Sequence, residues 1–277
     1  MPVQDKVSKV MPRLLKGGLI GLGALVVSTL AIQASDLVRG IEGYLPGLVS
    51  EQTGVCGGGA VLIQLAGKSL CVDAYESSPA EKCPSPVTNS PADTSLNLLN
   101  TDCQPVSGPG LLPWRFVSLT EAQQLCARSG KRLSSAAEWY KISLSLNQQK
   151  SCVVDAAEAK STGANDCRTE AGVHDLVGNV WEWVDETVTD GRWADRAIPD
   201  DGYVLQVDSN GVVLETGDTP DPLFGSDYAW TNTNGVFGMI RGGFYGAEDD
   251  AGIFAQNLAI PFDLRTSGIG FRCVRDL

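Results

Sequence analysis

The eight cysteines of this chain constrain its fold more than any other feature: Cys56, Cys71, Cys83, Cys103, Cys126, Cys152, Cys167 and Cys273. None forms a CxxC pair, so the spacing of a zinc site or of a thioredoxin-type redox motif is missing. An even number of cysteines in an exported chain reads as a disulfide framework, and these begin only after a segment suited to export. Gly17 to Ser35 carries no charged residue, and Lys6, Lys9, Arg13 and Lys16 precede it. A basic start followed by an apolar stretch is the pattern of a signal peptide or of a single membrane anchor. Residues 1–35 are therefore expected to be signal or anchor, 36–55 a short stalk, and 56–277 the folded domain. The expected location is outside the cytoplasm, at the cell surface, with a membrane attachment if the N-terminal segment stays uncleaved.

The chain carries a net charge of −12, and because residues 1–34 hold about +3 of their own, the body is near −15. Such a body repels phosphate backbones, which excludes nucleic acid as an expected partner. With 31 Gly and 14 Pro beside 19% charged residues, a loop-rich globular domain is expected, free of long charged helices.

Local patterns give the elements. Val61 to Tyr75 reads as two strands broken at Gly67-Lys68, a hairpin. Ser77 to Pro113, rich in Pro, Ser, Asn, Asp and Thr, reads as a long irregular loop stapled by Cys83 and Cys103. Ser118 can cap a helix whose stripe is Ala122, Leu125 and Cys126, and Gly130 ends it. Ser135 with Glu138 has the spacing of a capping box, and Trp139, Ile142, Leu144 and Leu146 give that helix bulk to bury. Tyr203 to Thr216 places apolar runs on either side of Asn210-Gly211, a second hairpin. The class is α+β, with few helices, short twisted antiparallel sheets and many irregular loops.

Three segments then resemble the formylglycine-generating-enzyme (sulfatase-modifying factor) family, a branch of the C-type-lectin-like folds. They are VSLTEAQQLCARSGKRLSSAAEWYK (117–141), DLVGNVWEWVDE (175–186), and IRGGFY (240–245) with GFRCVRD (270–276). CVDAYESSP at Cys71 is a weaker fourth. The resemblance implies a Cys126–Cys273 bridge joining the first helix to the last strand. The six remaining cysteines can pair in several ways; proximity favours Cys56–Cys71, Cys83–Cys103 and Cys152–Cys167. Gly178, Gly242 and Gly243 are expected at backbone positions of positive φ or close approach. Of Trp181 and Trp183, one is expected to point into the core and the other toward a loop.

Catalytic members of that family hold copper with two cysteines shortly after the Arg-Gly-Gly motif. Those positions fall near Ala247 and Gly252 here, and no cysteine lies between Cys167 and Cys273. Iron-dependent sulfoxide synthases of the same family need several histidines; this chain has His174 alone, the usual mark of a packed or surface residue. The expectation is a protein that is not an enzyme and requires no cofactor. Calcium is the one ion the resemblance admits, with Asn179 and Glu182 as candidate ligands.

The stretch from Arg241 to Cys273 is similar to the variable region of proteins diversified by diversity-generating retroelements, in which adenine-directed mutagenesis rewrites chosen codons. Its frame is RGG, AGIFA, NL and IGFRC. Between frame residues stand chemically mixed positions: Phe244, Tyr245, Ala247, Glu248, Asp249 and Asp250, then Ala259, Ile260, Phe262, Asp263, Leu264, Arg265, Thr266 and Ser267. These make neither a helical stripe nor strand alternation. Aromatic and charged side chains together resemble a paratope, where aromatics give contact area and charges give specificity. They are the expected ligand-binding residues of a receptor- or adhesin-like protein whose partner is an external protein or glycan. The rival expectations are a metal-dependent oxidoreductase of the family and a fixed structural envelope module.

Overall fold

One glycine sets the entry to the domain. The computed structural model describes residues 54–146 and 151–277; the expected signal or anchor and nearly all of the stalk lie outside the described residues. Strand β1 (Ala60–Leu65) pairs antiparallel with β2 (Lys68–Asp73), Leu65 opposite Lys68. So tight a turn needs a left-handed residue, and Gly67 takes φ +77°.

The stretch 77–113, expected to be irregular throughout, contains β3 (Ser78–Pro79), α1 (Pro91–Leu99) and β4 (Pro105–Val106). Helix α1 carries Ser90 as N-cap and Pro91 in its first turn. Its buried residues are Thr94 and Asn97, while Leu96 and Leu99 face solvent, so no apolar stripe announced it. The buried face works through hydrogen bonds: Trp114 Nε1 donates to Thr94 Oγ1 at 3.0 Å, and Asn97 both accepts from Ser85 N and donates to its carbonyl.

Helix α2 (Leu119–Arg128) begins at a complete Ser118/Glu121 capping box and buries Ala122, Leu125 and Cys126 as expected. After β5 (Arg132–Leu133) comes α3 (Ala136–Ser143), with the Ser135/Glu138 box in place and Trp139 and Ile142 buried. The helix stops at Ser143, which leaves Leu144 largely exposed, against expectation. The long strand β6 (Trp181–Thr189) is followed by β7 (Arg192–Trp193), β8 (Arg196–Ala197), β9 (Gly202–Val207) and β10 (Val213–Gly217). The β9–β10 hairpin is wider than an Asn-Gly turn alone: Val207 faces Val213, and Asp208 Oδ1 ties the loop by accepting from Asn210 N and Val212 N. β11 (Tyr228–Trp230), β12 (Val236–Arg241), β13 (Gln256–Ile260), β14 (Ile269–Phe271) and β15 (Cys273–Asp276) complete the chain.

Two main sheets result. The smaller runs β1-β2-β15-β5 and brings the domain's beginning beside its end, Val72 opposite Val274. The larger has nine strands in the order β10-β9-β11-β13-β12-β6-β7-β8, with β14 beside β6. It is not purely antiparallel: β11–β13 and β14–β6 pair parallel, each partner being reached through intervening strands rather than a hairpin. The pleat separates two cores. Ile240 enters one with Trp183, and its neighbour Met239 enters the other with Val184.

Both Trp181 and Trp183 are buried in the same core. The expected division between them fails because residues two apart on a strand share a face; Glu182 and Val184 take the opposite side. All eight cysteines are bridged, as Cys56–Cys71, Cys83–Cys103, Cys126–Cys273 and Cys152–Cys167. The third spans a sequence separation of 147, a closure that in the chain-entropy account contributes about 5 kcal/mol. The architecture is the α+β one expected, with few helices, short strands and many irregular loops.

Candidate functional site

The site rests on a buried ion pair. Arg272 of the GFR motif and Glu182 of the WEW motif are both fully buried. Arg272 Nε donates to both Glu182 oxygens at 2.8 and 2.9 Å, Trp139 Nε1 donates to Glu182 Oε2 at 2.8 Å, and Arg272 Nη1 donates to the Asp73 carbonyl. Beside them Glu76 accepts from Asn179 Nδ2 and from Val180 N, and burial pushes its carboxyl well above the usual range. Asp175 is pushed up to about 6 by the same cause. His174 stacks on Tyr75 with centroids 4.7 Å apart and passes its carbonyl to Arg272, the packed role expected of a lone histidine.

Asn179 and Glu182, the candidate calcium ligands, have their oxygens occupied by protein donors. Asn179 Oδ1 accepts from Lys160 N, and both Glu182 oxygens accept from Arg272. Among the described residues no group of three or more acidic, His or Cys side chains is placed to hold a metal ion.

Frame residues and mixed positions are held by different means. Buried side chains grip the AGIFA frame. Arg241 lies 5.0 Å above the Trp139 ring and donates to the Ile253 and Gly211 carbonyls, and burial lowers its pKa to about 10. Asp227 Oδ2 accepts from Phe254 N and Ala255 N at 2.7 and 3.1 Å; burial pushes this carboxyl up to about 6. Gly252 lies directly against it, since a Cβ there would meet Asp227 Oδ1 at 2.1 Å. One of the two positions that the resemblance assigns to a catalytic cysteine therefore has no room for any side chain. The Arg-Gly-Gly glycines are equally constrained: a Cβ on Gly242, at φ +96°, would meet the Leu176 carbonyl oxygen at 2.3 Å.

The mixed positions are anchored mainly through their backbone. Tyr245 N donates to Asn179 O and Tyr245 O accepts from Ala156 N; Glu248 N donates to Val154 O. Phe262 O accepts from Leu119 N, and Thr266 O accepts from Phe116 N. Glu248, Asp249 and Asp263 are exposed, and Phe244, Tyr245, Ala247, Asp250, Ala259, Phe262, Leu264, Arg265, Thr266 and Ser267 are half-buried. Ile260 is more buried than display would have it: it packs in the first core whereas Leu258 enters the second, the β12–β13 pairing shifting register between Gly238 and Ile240. Three side-chain contacts order the rest. Phe244 meets Tyr245 edge-on, Tyr245 Oη and Ser267 Oγ are 3.0 Å apart, and Arg265 forms a two-point pair with Glu121 at 2.7 and 2.9 Å.

Five of these positions, Phe244, Ile260, Leu264, Thr266 and Ser267, line a hollow of about 330 Å³. Trp181, Ile240, Asn257 and Ile269 of the scaffold line it with them. A mostly apolar cavity with a few hydroxyl and amide groups suits ligand capture. The structure adds aromatic residues that sequence reasoning missed. Tyr203, Tyr228 and Trp230 lie half-exposed on the same sheet, and Trp230 pairs with Asn257 and packs edge-on against Trp181 at 5.7 Å. The alternation Tyr228-Ala229-Trp230 was the available signal, hidden because it is only three residues long.

No curated protein matches the chain. Among solved structures it is similar to the Major Tropism Determinant U1 variant, at 14% identity and TM-score 0.44 over 79% of this chain and 52% of that one. It therefore spans about half the length of that protein. It is also similar to Treponema denticola variable protein 1 (13% identity, TM-score 0.42, covering 76% and 85%) and to PvdO from Pseudomonas aeruginosa (17%, 0.42, 76% and 81%). Residues 145–277 match the family model of the sulfatase-modifying factor enzyme 1-like domain.

Proposed function

We propose that this chain is an exported, non-catalytic ligand-binding protein, receptor- or adhesin-like, whose mixed positions between Phe244 and Ser267 are diversified by a retroelement. One observation carries the reading: side chains of that segment line a concave site while its main chain is fastened to the scaffold. Backbone anchoring leaves side chains free to change without loss of position. A preformed surface also avoids the ordering cost of a flexible loop. Four disulfides favour an oxidising, extracytoplasmic setting.

Copper, which catalytic relatives hold through thiolates, does not fit the residues present, since no cysteine is free. The oxidoreductase reading loses its chemical centre on that ground.

Sequencing the neighbouring DNA and the same gene in sibling strains tests the proposal. A reverse-transcriptase gene and a near-copy of the stretch encoding Arg241 to Cys273, differing at adenines, are expected. Sibling genes that keep the mixed codons unchanged would refute it.

A further inference from the structure

The aromatic row beside the hollow has its own chemistry. The pleat of β11 places Tyr228 and Trp230 on one side and buries Ala229 on the other. Tyr203 of β9 stands opposite Tyr228. The rings meet in sequence: Tyr203 to Tyr228 at 5.3 Å, Tyr228 to Trp230 at 4.9 Å, and Trp230 to Trp181, a wall of the hollow, at 5.7 Å. Each ring is held by its neighbours, and the first three are half-exposed.

Carboxylates surround this row. Asp201 precedes Gly202, which pairs with Ala229, and Asp218 follows Gly217, which pairs with Tyr203; burial, then the charges of Asp201, Tyr203, Asp250 and Asp218, push the Tyr228 phenol upward. Among the described residues, none of the three carboxylates is in an ion pair. The cations that sit over aromatic rings are elsewhere: Arg115 on Phe116, Arg196 on Trp193, Arg241 on Trp139 and Tyr140. Exposed π faces under a negative field, with no cation of their own, are complementary to a positive group.

We infer that the Tyr203–Tyr228–Trp230 face receives an arginine- or lysine-bearing segment of the partner protein, with Asp201, Asp218 and Asp250 balancing its charge. The inference rests on the reading of the adjacent hollow as a binding site, and it names the partner's chemistry. It also divides the labour. The aromatic anchor, with Asp201 and Asp218, lies outside the stretch 241–273, while the mixed positions beside it, Asp250 among them, supply discrimination. A sugar is the less suited occupant, because the neighbouring rings meet at 81° and 49° and form no flat platform for stacking.

The test uses the full chain and a short peptide alternating arginine and glycine, followed by tryptophan fluorescence and calorimetry. Controls replace arginine by serine or by glutamate, and maltohexaose serves as a neutral sugar. The arginine peptide alone is expected to bind, more weakly as salt rises. Affinity is expected to fall about threefold in Tyr228→Leu and about tenfold when Asp201, Asp218 and Asp250 are all changed to Asn. Equal binding of the serine peptide, preference for maltohexaose, or unchanged affinity in both variants with native circular dichroism would overturn it. Thr266→Trp, which fills the hollow, is expected to leave arginine-peptide affinity intact. If peptide binding behaves as described while sibling genes keep the mixed codons fixed, the anchor stands and the diversification reading falls.

Discussion

The AGIFA frame and the segment Ala259–Ser267 are neighbours in sequence, yet opposite devices hold them. Around the frame, charged and amide side chains are buried and committed: Arg241 on the Ile253 carbonyl, Asp227 on two amides, Gln256 on Val213 N. In the following loop the main chain makes the connections, and most side chains stand half-buried around a hollow. A side chain that carries a buried hydrogen bond cannot be exchanged without stranding its partner. One whose backbone carries the bond can be. Tolerance to substitution is therefore written in which atoms make the contacts, and it changes over a few residues.

The sharpest break of this contrast is Arg272→Ala. It would leave the Glu182 side chain buried with only Trp139 as donor, at a cost of about 3–5 kcal/mol in urea unfolding. Thr266→Ala, measured alongside, is expected to cost less than about 1 kcal/mol; comparable losses would erase the distinction. Replacing Cys126 and Cys273 together by Ser is the next largest effect. Opening the bridge of separation 147 is expected to cost about 3 kcal/mol, seen as a lower unfolding midpoint that reducing agent does not lower equally in the variant.

How much of this was legible beforehand follows from the same contrast. The cap at Ser118, the capping box at Ser135 and the Gly67 hairpin could be anticipated because each depends on local residue type; Cys126–Cys273 followed from motif order, while the other three bridges had only sequence proximity to favour them. Helix α1 was missed because its buried face is Thr94 and Asn97, and apolar periodicity cannot report a polar core. Ile260 was assigned to the surface by its chemical neighbours, although a register shift between β12 and β13 places it in the first core. Trp230 reaches Asn257 through the parallel pairing of β11 with β13, and Tyr203 reaches Tyr228 through β9–β11; long-range registers of that kind leave no local trace.

Asp227 sharpens the comparison through pH. Its carboxyl is pushed from 3.8 to about 6 in the folded protein, chiefly by burial. The folded state thus binds a proton that the unfolded state has released, and this contribution to stability is complete below about pH 4 and declines as pH rises through about 6. Asp227→Asn keeps an acceptor for Phe254 N and Ala255 N and removes the charge. Relative to the parent, it is expected to gain about 2 kcal/mol between pH 4 and pH 7.5 in denaturant titrations. A constant difference across that range would show that the frame does not depend on a buried carboxylate.

Arg265 sits between the two classes, a mixed position whose side chain reaches the scaffold. Its two-point pair with Glu121 is about a third exposed on the arginine side, so solvent weakens it. Arg265→Asn is expected to cost about 0.5–1 kcal/mol, and a double-mutant cycle with Glu121→Gln would isolate the pair from the capping role of Glu121.

The smallest expected effect runs in the opposite direction. Glu248 is exposed and takes φ +50°, a left-handed conformation that side chains other than Asn, Asp and Gly enter at a cost. Its backbone is bound to Val154 O, so the conformation belongs to the position rather than to the residue. A position selected for what its side chain offers a partner would tolerate that strain; one selected for folding would favour Asn or Gly. Glu248→Asn is therefore expected to raise stability by about 0.5 kcal/mol while removing one exposed charge of the segment. Thermal unfolding of the variant decides it. A loss of stability would mean that the Glu248 side chain supports the fold, and the line between frame and mixed positions would have to be drawn elsewhere.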